Sequence, residues 1–212
     1  LEQRLRRQRV YMERLGECVG RMVSMAHDEE PTPRPGKRAL TVLFSSDRGL
    51  CAGFNHNLVT WFMASRDGST SDGELWVIGR QGISALREKG ISPSRTFTKL
   101  WDGRDTAPLR TLFTDVTGAF ERGEFDRVEL VYNRFHTFLT QTPLAVPLYP
   151  VEGLPVVTDA EVEFEADPGY SQIEEVLFPY YSEHLFYLVA IDALTAEHAA
   201  RMNAMSNASR NA

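Results

Sequence analysis

The chain has 212 residues and a mass of 24.0 kDa; 42% of its residues are hydrophobic and 25% are charged. These values are typical of a globular protein with a substantial core, and they exclude a disordered, collagen-like or disulfide-stabilised chain. The 23 basic and 29 acidic side chains give a net charge of −6, whereas nucleic-acid-binding proteins usually carry a basic excess. No apolar run approaches the roughly 20 residues of a membrane-spanning helix. We therefore expect a soluble protein that acts through protein surfaces and binds no nucleic acid.

The amino-terminal segment, residues 1–26, predicts an amphipathic helix. Its apolar residues recur at intervals of three and four positions, which places on one helical face Tyr11, Leu15, Cys18, Met22 and Met25. A loop with three prolines follows at residues 27–36 and ends the helix. The segment begins without a capping residue, so we expect it to be cut from a longer helix.

The central segment, residues 37–169, predicts an α/β domain. Strands are predicted at 38–46, 74–79, 95–100, 127–135 and 143–149, and helices at 55–65, 81–89 and 108–122. This alternation is typical of a Rossmann-like domain, in which helices cover both faces of a mostly parallel sheet. The last two strands are close enough in sequence to pair as an antiparallel hairpin. The acidic residues 152–169 predict an edge strand with a charged outer face.

The carboxy-terminal segment, residues 170–212, predicts a long helix, because it contains neither glycine nor any proline after Pro179. A ridge of small residues repeats every four positions at Ala196, Ala200, Ala204, Ala208 and Ala212. Beside it, a heptad seam that Thr195 and His198 weaken comprises Leu188, Ile191, Met202 and Met205. Such a surface lets another helix approach closely, so we expect an antiparallel coiled coil with the amino-terminal helix. A long helix packed only on its own domain is the alternative.

Motifs for catalysis are missing from the sequence, which has no Walker loop, GxGxxG, GxSxG or HExxH. The nearest feature to a phosphate cradle is the loop at residues 45–53, where two glycines could expose backbone N–H groups at a helix start. That loop has no lysine, and Asp47 beside Arg48 indicates a surface turn with an ion pair. Cys51 would need a base to act as a nucleophile, and only His56 is near it in sequence. The five histidines have no ligand spacing, so we expect no metal and no cofactor.

Several segments resemble the γ subunit of F-type ATP synthases. Residues 46–55, SDRGLCAGFN, are similar to its SDRGLCGGFN signature and differ at Ala52, where that family usually has glycine. Residues 79–82, GRQG, resemble its GRKG, and residues 197–212 resemble its EHAARMxAMxxAxxNA block. Its strand and hairpin region resembles residues 123–126, 132–135, 141–143 and 148–150. The resemblance covers residues 5–212, and its two long motifs are specific.

The resemblance implies a non-catalytic rotor subunit, the central stalk that couples ion transport to ATP synthesis or hydrolysis. In that family a coiled coil of the terminal helices stands in the α3β3 ring, and the α/β domain meets the ε subunit and the membrane c-ring. It implies contact with the β subunits at Asp47, Arg48, Gly49, Leu50 and Cys51. The corresponding shaft positions are Arg201, Met202 and Met205.

The resemblance also implies a place for the chain and a length. The protein would lie on the cytoplasmic face of a bacterial inner membrane, attached only indirectly through the c-ring. The family's chains extend beyond both ends of this sequence, so we expect the upper shaft to be missing here. From the residues alone, an alternative remains open: a free-standing α/β ligand-binding or phosphate-handling domain that uses the loop at residues 45–53. A regulatory adapter descended from the stalk subunit is a third hypothesis.

Overall fold

The computed structural model describes residues 1–26, 38–65, 73–100, 106–151, 154 and 170–211. In chain order the helices and strands are α1 (Glu2–Ala26), β1 (Ala39–Phe44), α2 (Phe54–Ser65), β2 (Glu74–Ile78), α3 (Arg80–Glu88), β3 (Arg95–Phe97), α4 (Ala107–Glu121), β4 (Arg127–Phe135), β5 (Gln141–Tyr149) and α5 (Tyr170–Arg210). The order and type of these elements agree with the sequence prediction. The edge strand predicted at residues 152–169 lies outside the described residues.

The sheet has five strands in the order β3-β2-β1-β4-β5. The pairings of β1 with β2, β1 with β4, and β2 with β3 are parallel, and β5 runs antiparallel to β4. The mostly parallel sheet and the terminal hairpin are therefore both confirmed. All six residues of the central strand β1 are buried, as is usual where helices cover both faces of a parallel sheet.

Each face of the sheet has its own hydrophobic core, because successive side chains of a strand point to opposite faces. On one face Leu40, Val42 and Phe44 of β1 pack with residues of α4 and with the first half of α5. On the other face Leu43 packs with residues of α2 and α3, including Phe62. We refer to the sheet with α2, α3 and α4 as the body.

The terminal helices α1 and α5 pair in antiparallel fashion, and we call this pair the rod. Leu5 packs in one cluster with Ala199 and Ala200, the Arg9 guanidinium contacts Asp192, and Tyr11 meets Tyr180 further along α1. The partner's residue number falls as the α1 residue number rises, which is the signature of antiparallel helices. The predicted pairing is confirmed.

The face of α1 that packs on α5 is rotated from the predicted one. Tyr11 is 40% exposed and Cys18 is also exposed. Leu15 and Met22 of the predicted face are half-buried, and the fully buried residues lie on a neighbouring stripe: Leu5, Met12, Gly16, Val19 and Gly20. Counting apolar side chains overlooks the two glycines, which have no side chain but let the α1 backbone approach its neighbour closely. The side chain of Met25 lies outside the described residues.

The predicted face of α5 is buried only along its first part. Ile191, Ala196 and Ala200 are buried. Thr195 is also buried, and its hydroxyl is satisfied because it donates to the Ile191 carbonyl at 2.7 Å. Met202 and Met205 are 61% and 57% exposed. The buried part of the ridge and seam therefore ends at Ala200, and the two methionines of the seam beyond it face outward in this chain.

Candidate functional site

The signature loop at residues 45–53 connects β1 to α2, and we call it the β1–α2 loop. It lies at the carboxyl edge of the parallel strands, where open α/β sheets usually place their sites. Ser45 follows β1 directly, and its N–H donates to the carbonyl of Ile78, the last residue of β2. The loop is therefore attached to the neighbouring strand from its first residue.

The GRQG segment has its glycines because Ser45 lies against them. A Cβ atom on Gly79 would come within 2.4 Å of the Ser45 carbonyl oxygen, and Gly79 has a φ of +94°. A Cβ atom on Gly82 would come within 2.3 Å of the Ser45 Oγ, which accepts a hydrogen bond from the Gly82 N–H. Both positions need glycine for close backbone approach, so this motif is a packing feature of the site.

Asp47 fills the place at this edge where a bound anion would be expected. Its carboxylate accepts the Arg80 N–H at 3.3 Å and the Lys99 N–H at 2.8 Å, and the Arg80 guanidinium lies 3.8 Å away. The next two N–H groups of α3 donate to the Ser46 carbonyl and to the Ser45 hydroxyl. The first N–H groups of α3 are thus used within the chain, which disfavours the alternative of a phosphate-handling loop.

Cys51 lies inside the site rather than on its surface. It is 3% exposed and packs with Leu5, Phe54 and Ala199. Its sulfur accepts a hydrogen bond from the Asn55 amide at 3.2 Å. His56, the base considered from the sequence, is exposed and contacts Thr60 instead. This environment does not activate a nucleophile, and it fixes the loop to the rod.

Two residues of the loop have left-handed backbone conformations without being glycine. Leu50 has a φ of 62° and Ala52 a φ of 48°. The glycine that the γ-subunit signature has at the second position would adopt this conformation without strain. Leu50 is 79% exposed. The turn therefore presents a large apolar side chain outward at the tip of the loop.

Arg201 of α5 joins the rod to the loop. Its Nε donates to the Gly49 carbonyl and its Nη2 to the Arg48 carbonyl, both at 3.3 Å. The same Nη2 pairs with Glu197, one turn earlier on α5, at 2.6 Å. The structure thus brings Arg201 together with the loop that the sequence selected. The exposed Met202 and Met205 follow it on α5.

A pocket of about 310 Å³ opens between the loop, the sheet edge and α5. Its charged lining residues are Asp47, Arg48, Arg80, Lys99, Glu197 and Arg201. The two carboxylates are each held by an arginine, as described above. The pocket is consequently basic in net charge, in contrast to the whole chain.

The sequence analysis missed Asp192, the most deeply buried carboxylate of the described residues. It is 1% exposed. One of its oxygens accepts the Phe135 N–H at 2.8 Å, and the other accepts Arg9 Nη2 at 2.7 Å. Arg9 Nη2 also donates to the Phe135 carbonyl at 2.6 Å. A lone aspartate within the apolar run at residues 185–196 was the available signal, since a buried charge requires a partner.

Burial sets the protonation behaviour around Asp192. Burial raises the pKa of its carboxyl, and the hydrogen bonds from Arg9 and from the Phe135 N–H oppose that shift. Burial also raises the pKa of the nearby Tyr132 phenol, and the Asp192 carboxylate adds to that increase. Tyr132 therefore remains neutral at physiological pH.

The described part of the chain contains neither a metal-binding cluster nor a membrane-spanning helix. No group of three or more histidine, cysteine, aspartate or glutamate residues there is arranged to hold a metal ion. No helix formed by those residues combines the length and the apolar character needed to cross a bilayer.

Comparisons with known proteins agree with the motifs. A family model described as ATP synthase matches residues 1–212. The ATP synthase gamma chain of Moorella thermoacetica is 32% identical, over 96% of this chain and 73% of that protein. The gamma chain of an Exiguobacterium species is also 32% identical, over 95% of this chain and 73% of that protein.

Solved structures share the fold at lower sequence identity. The central stalk of the Tetrahymena thermophila mitochondrial ATP synthase has a TM-score of 0.64 and 20% identity, over 97% of this chain and 94% of that one. The rotor of the Euglena gracilis mitochondrial ATP synthase has a TM-score of 0.58 and 15% identity, over 99% and 90%. With a family model matching its whole length and relatives above 30% identity, the chain belongs to the ATP synthase gamma chain family.

Proposed function

We propose that this chain is the non-catalytic central-stalk subunit of an F-type ATP synthase, transmitting rotation between the membrane c-ring and the catalytic α3β3 ring. One observation carries the proposal: the helix α5 of the rod both packs into the core of the body and pairs with α1. Phe186 and Val189 of α5 lie in the core of the sheet, and Ile191 and Ala200 lie in the cluster shared with α1. A rod that continues into the body can turn with it.

The chemistry of the described residues supports a mechanical role. A rotor needs a stiff rod with unequal faces, because each catalytic subunit must meet different contacts as the rod turns. It needs no reactive side chain. The loop that most resembles a ligand site holds its own aspartate, and its cysteine is buried beside an amide.

The partners we propose are the α, β and ε subunits and the c-ring. The contact surface for the β subunits comprises Asp47, Arg48, Gly49 and Leu50 of the loop with Arg201, Met202 and Met205 of α5. Cys51 supports this surface from beneath. Exposed leucine and methionine side chains beside arginines suit a surface that meets changing partners, because methionine adapts to different contacts. The solved relatives are described as central stalk with c-ring and as rotor.

The division of the chain follows this role. We assign residues 1–26 and 170–212 to the shaft and residues 37–169 to the α/β domain. The protein would be peripheral to a bacterial inner membrane on its cytoplasmic face, attached through the c-ring. The two bacterial relatives described above are each named ATP synthase gamma chain.

Association with partner subunits tests the proposal directly. The complete chain encoded by the gene, carrying an affinity tag, would be mixed with α, β and ε subunits of the same source. We expect a complex containing all of them to copurify and to hydrolyse ATP. Absence of association would remove the proposed function.

Surface variants then test the contact residues. Leu50→Asp and Met202→Asp each place a charge on the proposed surface, and we expect each to weaken association about tenfold or more. Leu139→Asp is the matched control, since Leu139 is 77% exposed at the tip of the β4–β5 hairpin and outside the surface. If all three variants bind the partner subunits as well as the wild type does, the proposed contact surface is wrong, but the proposed stalk role is unaffected.

A further inference from the structure

Asp192, Arg9 and the backbone of Phe135 form a closed ring of hydrogen bonds, which we call the joint. The Asp192 carboxylate holds the Phe135 N–H, the Arg9 guanidinium holds the Phe135 carbonyl, and the two side chains pair with each other. The ring therefore joins three elements that are far apart in sequence: α1, α5 and the last residue of β4.

The joint lies where the rod meets the body. Phe135 ends β4, the strand next to the central strand, and its ring packs in the cluster with Leu5 and Ile191. On α5, Asp192 lies between Ile191, which packs in the cluster shared with α1, and Ala193, which packs in the core of the sheet. A force that twists the rod relative to the sheet would act across this point.

The chemistry of the joint makes it stiffer than the apolar contacts around it. Apolar contacts are non-directional and let helices slide past one another, whereas charge-assisted hydrogen bonds fix both distance and direction. The Asp192 side chain is buried and that of Arg9 is mostly so, which limits competition from water. Arg9 reaches across from α1, so the ring also fixes the position of that helix.

We propose that Arg9 and Asp192 are positioning residues that fix the angle of the rod on the body and carry twisting load between them. The inference rests on the proposed stalk function, since that function supplies the load. The stiffness of the joint is nevertheless a property of this chain alone. It can be measured without any partner subunit.

Spin labels on the rod and the body would measure that stiffness. Glu13→Cys labels an exposed position of α1 and Arg110→Cys an exposed position of α4, after the exposed Cys18 has been changed to serine. With the joint intact, we expect a narrow distribution of label-to-label distances. Asp192→Asn removes the charge that Arg9 pairs with, and we expect the distribution to widen about twofold.

A second variant and two controls separate stiffness from stability. Arg9→Met keeps most of the side-chain length but removes the nitrogen that makes both hydrogen bonds. We expect it to widen the distribution as Asp192→Asn does, so the test still stands if one of the two variants folds poorly. Val116→Ala removes buried side-chain volume in the core of the body and leaves the joint intact. Asp115→Asn breaks another ion pair between two elements, the Arg95–Asp115 pair. It joins β3 to α4 within the body at 2.8 Å. Both controls should retain the narrow distribution.

Amide exchange at Phe135 gives a second readout. Asp192→Ala removes the acceptor of this N–H, and we expect its protection to fall about tenfold or more relative to the neighbouring β4 amides. Unchanged distance widths in both joint variants, or the same widening in Val116→Ala, would overturn the inference. Either result would leave subunit association untouched, whereas failed association would leave the stiffness of the joint measurable, so the two failures are distinguishable.

Discussion

Besides the apolar packing of α5 on the sheet, two polar contacts between the rod and the body differ in kind, and we call them the lower and the upper contact. At the lower one, Asp192 and Arg9 hold the end of β4 through a buried ring of charged hydrogen bonds. At the upper one, Arg201 holds the β1–α2 loop through two longer bonds to carbonyl oxygens, and exposed apolar side chains surround it. The first arrangement determines geometry. The second lies beside exposed apolar side chains, on the surface that we propose for partner subunits.

The two halves of α5 differ in the same way, and truncating one side chain from each would give the largest contrast. Phe186 is fully buried and contacts the rings of Phe44 and Phe113. We expect Phe186→Ala to lower the free energy of unfolding by about 4 kcal/mol. Met202→Ala in the exposed half should change it by less than about 0.5 kcal/mol. Urea unfolding followed by circular dichroism measures both, and similar losses would contradict the division of α5.

Breaking the lower contact should have the next largest effect. Asp192→Ala leaves Arg9 without its carboxylate and the Phe135 N–H without its acceptor, which we expect to cost about 3 kcal/mol of unfolding free energy. Glu2→Gln, which breaks the exposed Arg6–Glu2 pair of α1, should cost less than about 0.5 kcal/mol. Equal costs in denaturant titrations would show that burial of the joint contributes nothing.

Protonation of Asp192 should change the free energy of unfolding less than removal of its side chain does. Burial raises the pKa of Asp192 above its ordinary value of 3.8, so the folded state binds this proton more tightly than the unfolded state does. The contribution of Asp192 to stability therefore falls as the pH rises through the window between these two pKa values, and it is constant above the folded pKa. The stability of the wild type relative to Asp192→Asn should increase on acidification toward pH 3.8. A decrease in parallel urea titrations would mean that Arg9, rather than burial, dominates the pKa.

The upper contact should be weaker when tested in the same way. Arg201→Ala removes the bonds to the Arg48 and Gly49 carbonyls and the pair with Glu197. We expect a loss of about 1 kcal/mol, because the loop remains attached through Ser45, Asp47 and the buried Cys51. Thermal unfolding provides the measurement. A loss as large as that of Asp192→Ala would remove the distinction between the two contacts.

The smallest effect concerns the backbone of the loop. Ala52 adopts a φ of 48°, which is strained for any residue with a Cβ atom. We expect Ala52→Gly to raise stability by about 0.5 kcal/mol, because relief of the strain exceeds the extra entropy of glycine in the unfolded chain. Ala64→Gly, near the end of α2, is the control and should lower stability.

Sequence patterns predicted the helices and strands well wherever neighbouring residues determine the secondary structure. The β4 strand was predicted with the bounds observed, Arg127–Phe135, because its apolar residues form a compact run between polar turns. The antiparallel hairpin followed from the short distance between β4 and β5. The packing face of α1 was predicted only in part, since Gly16 and Gly20 contribute to it without side chains that a pattern could detect.

The site could be predicted only in part, for a related reason. The β1–α2 loop and Arg201 were selected through resemblance, and they do lie together. The joint was not found, because 183 positions separate Arg9 from Asp192 and no local pattern links residues so far apart. Nor does the sequence indicate that Asp47 occupies the sheet edge, since that depends on where the Arg80 and Lys99 N–H groups point.

Asp47 has a consequence for how this fold can be reused. The carboxyl edge of a doubly wound sheet commonly binds an anionic ligand. Here the Asp47 carboxylate occupies the position of such a ligand. Removing the Asp47 carboxylate would open an anion-binding site. It would also remove the hydrogen bonds that connect the loop after β1 to α3 and to the segment after β3. In this molecule, receiving a small anion and holding the sheet edge rigid are therefore mutually exclusive uses of the same few atoms.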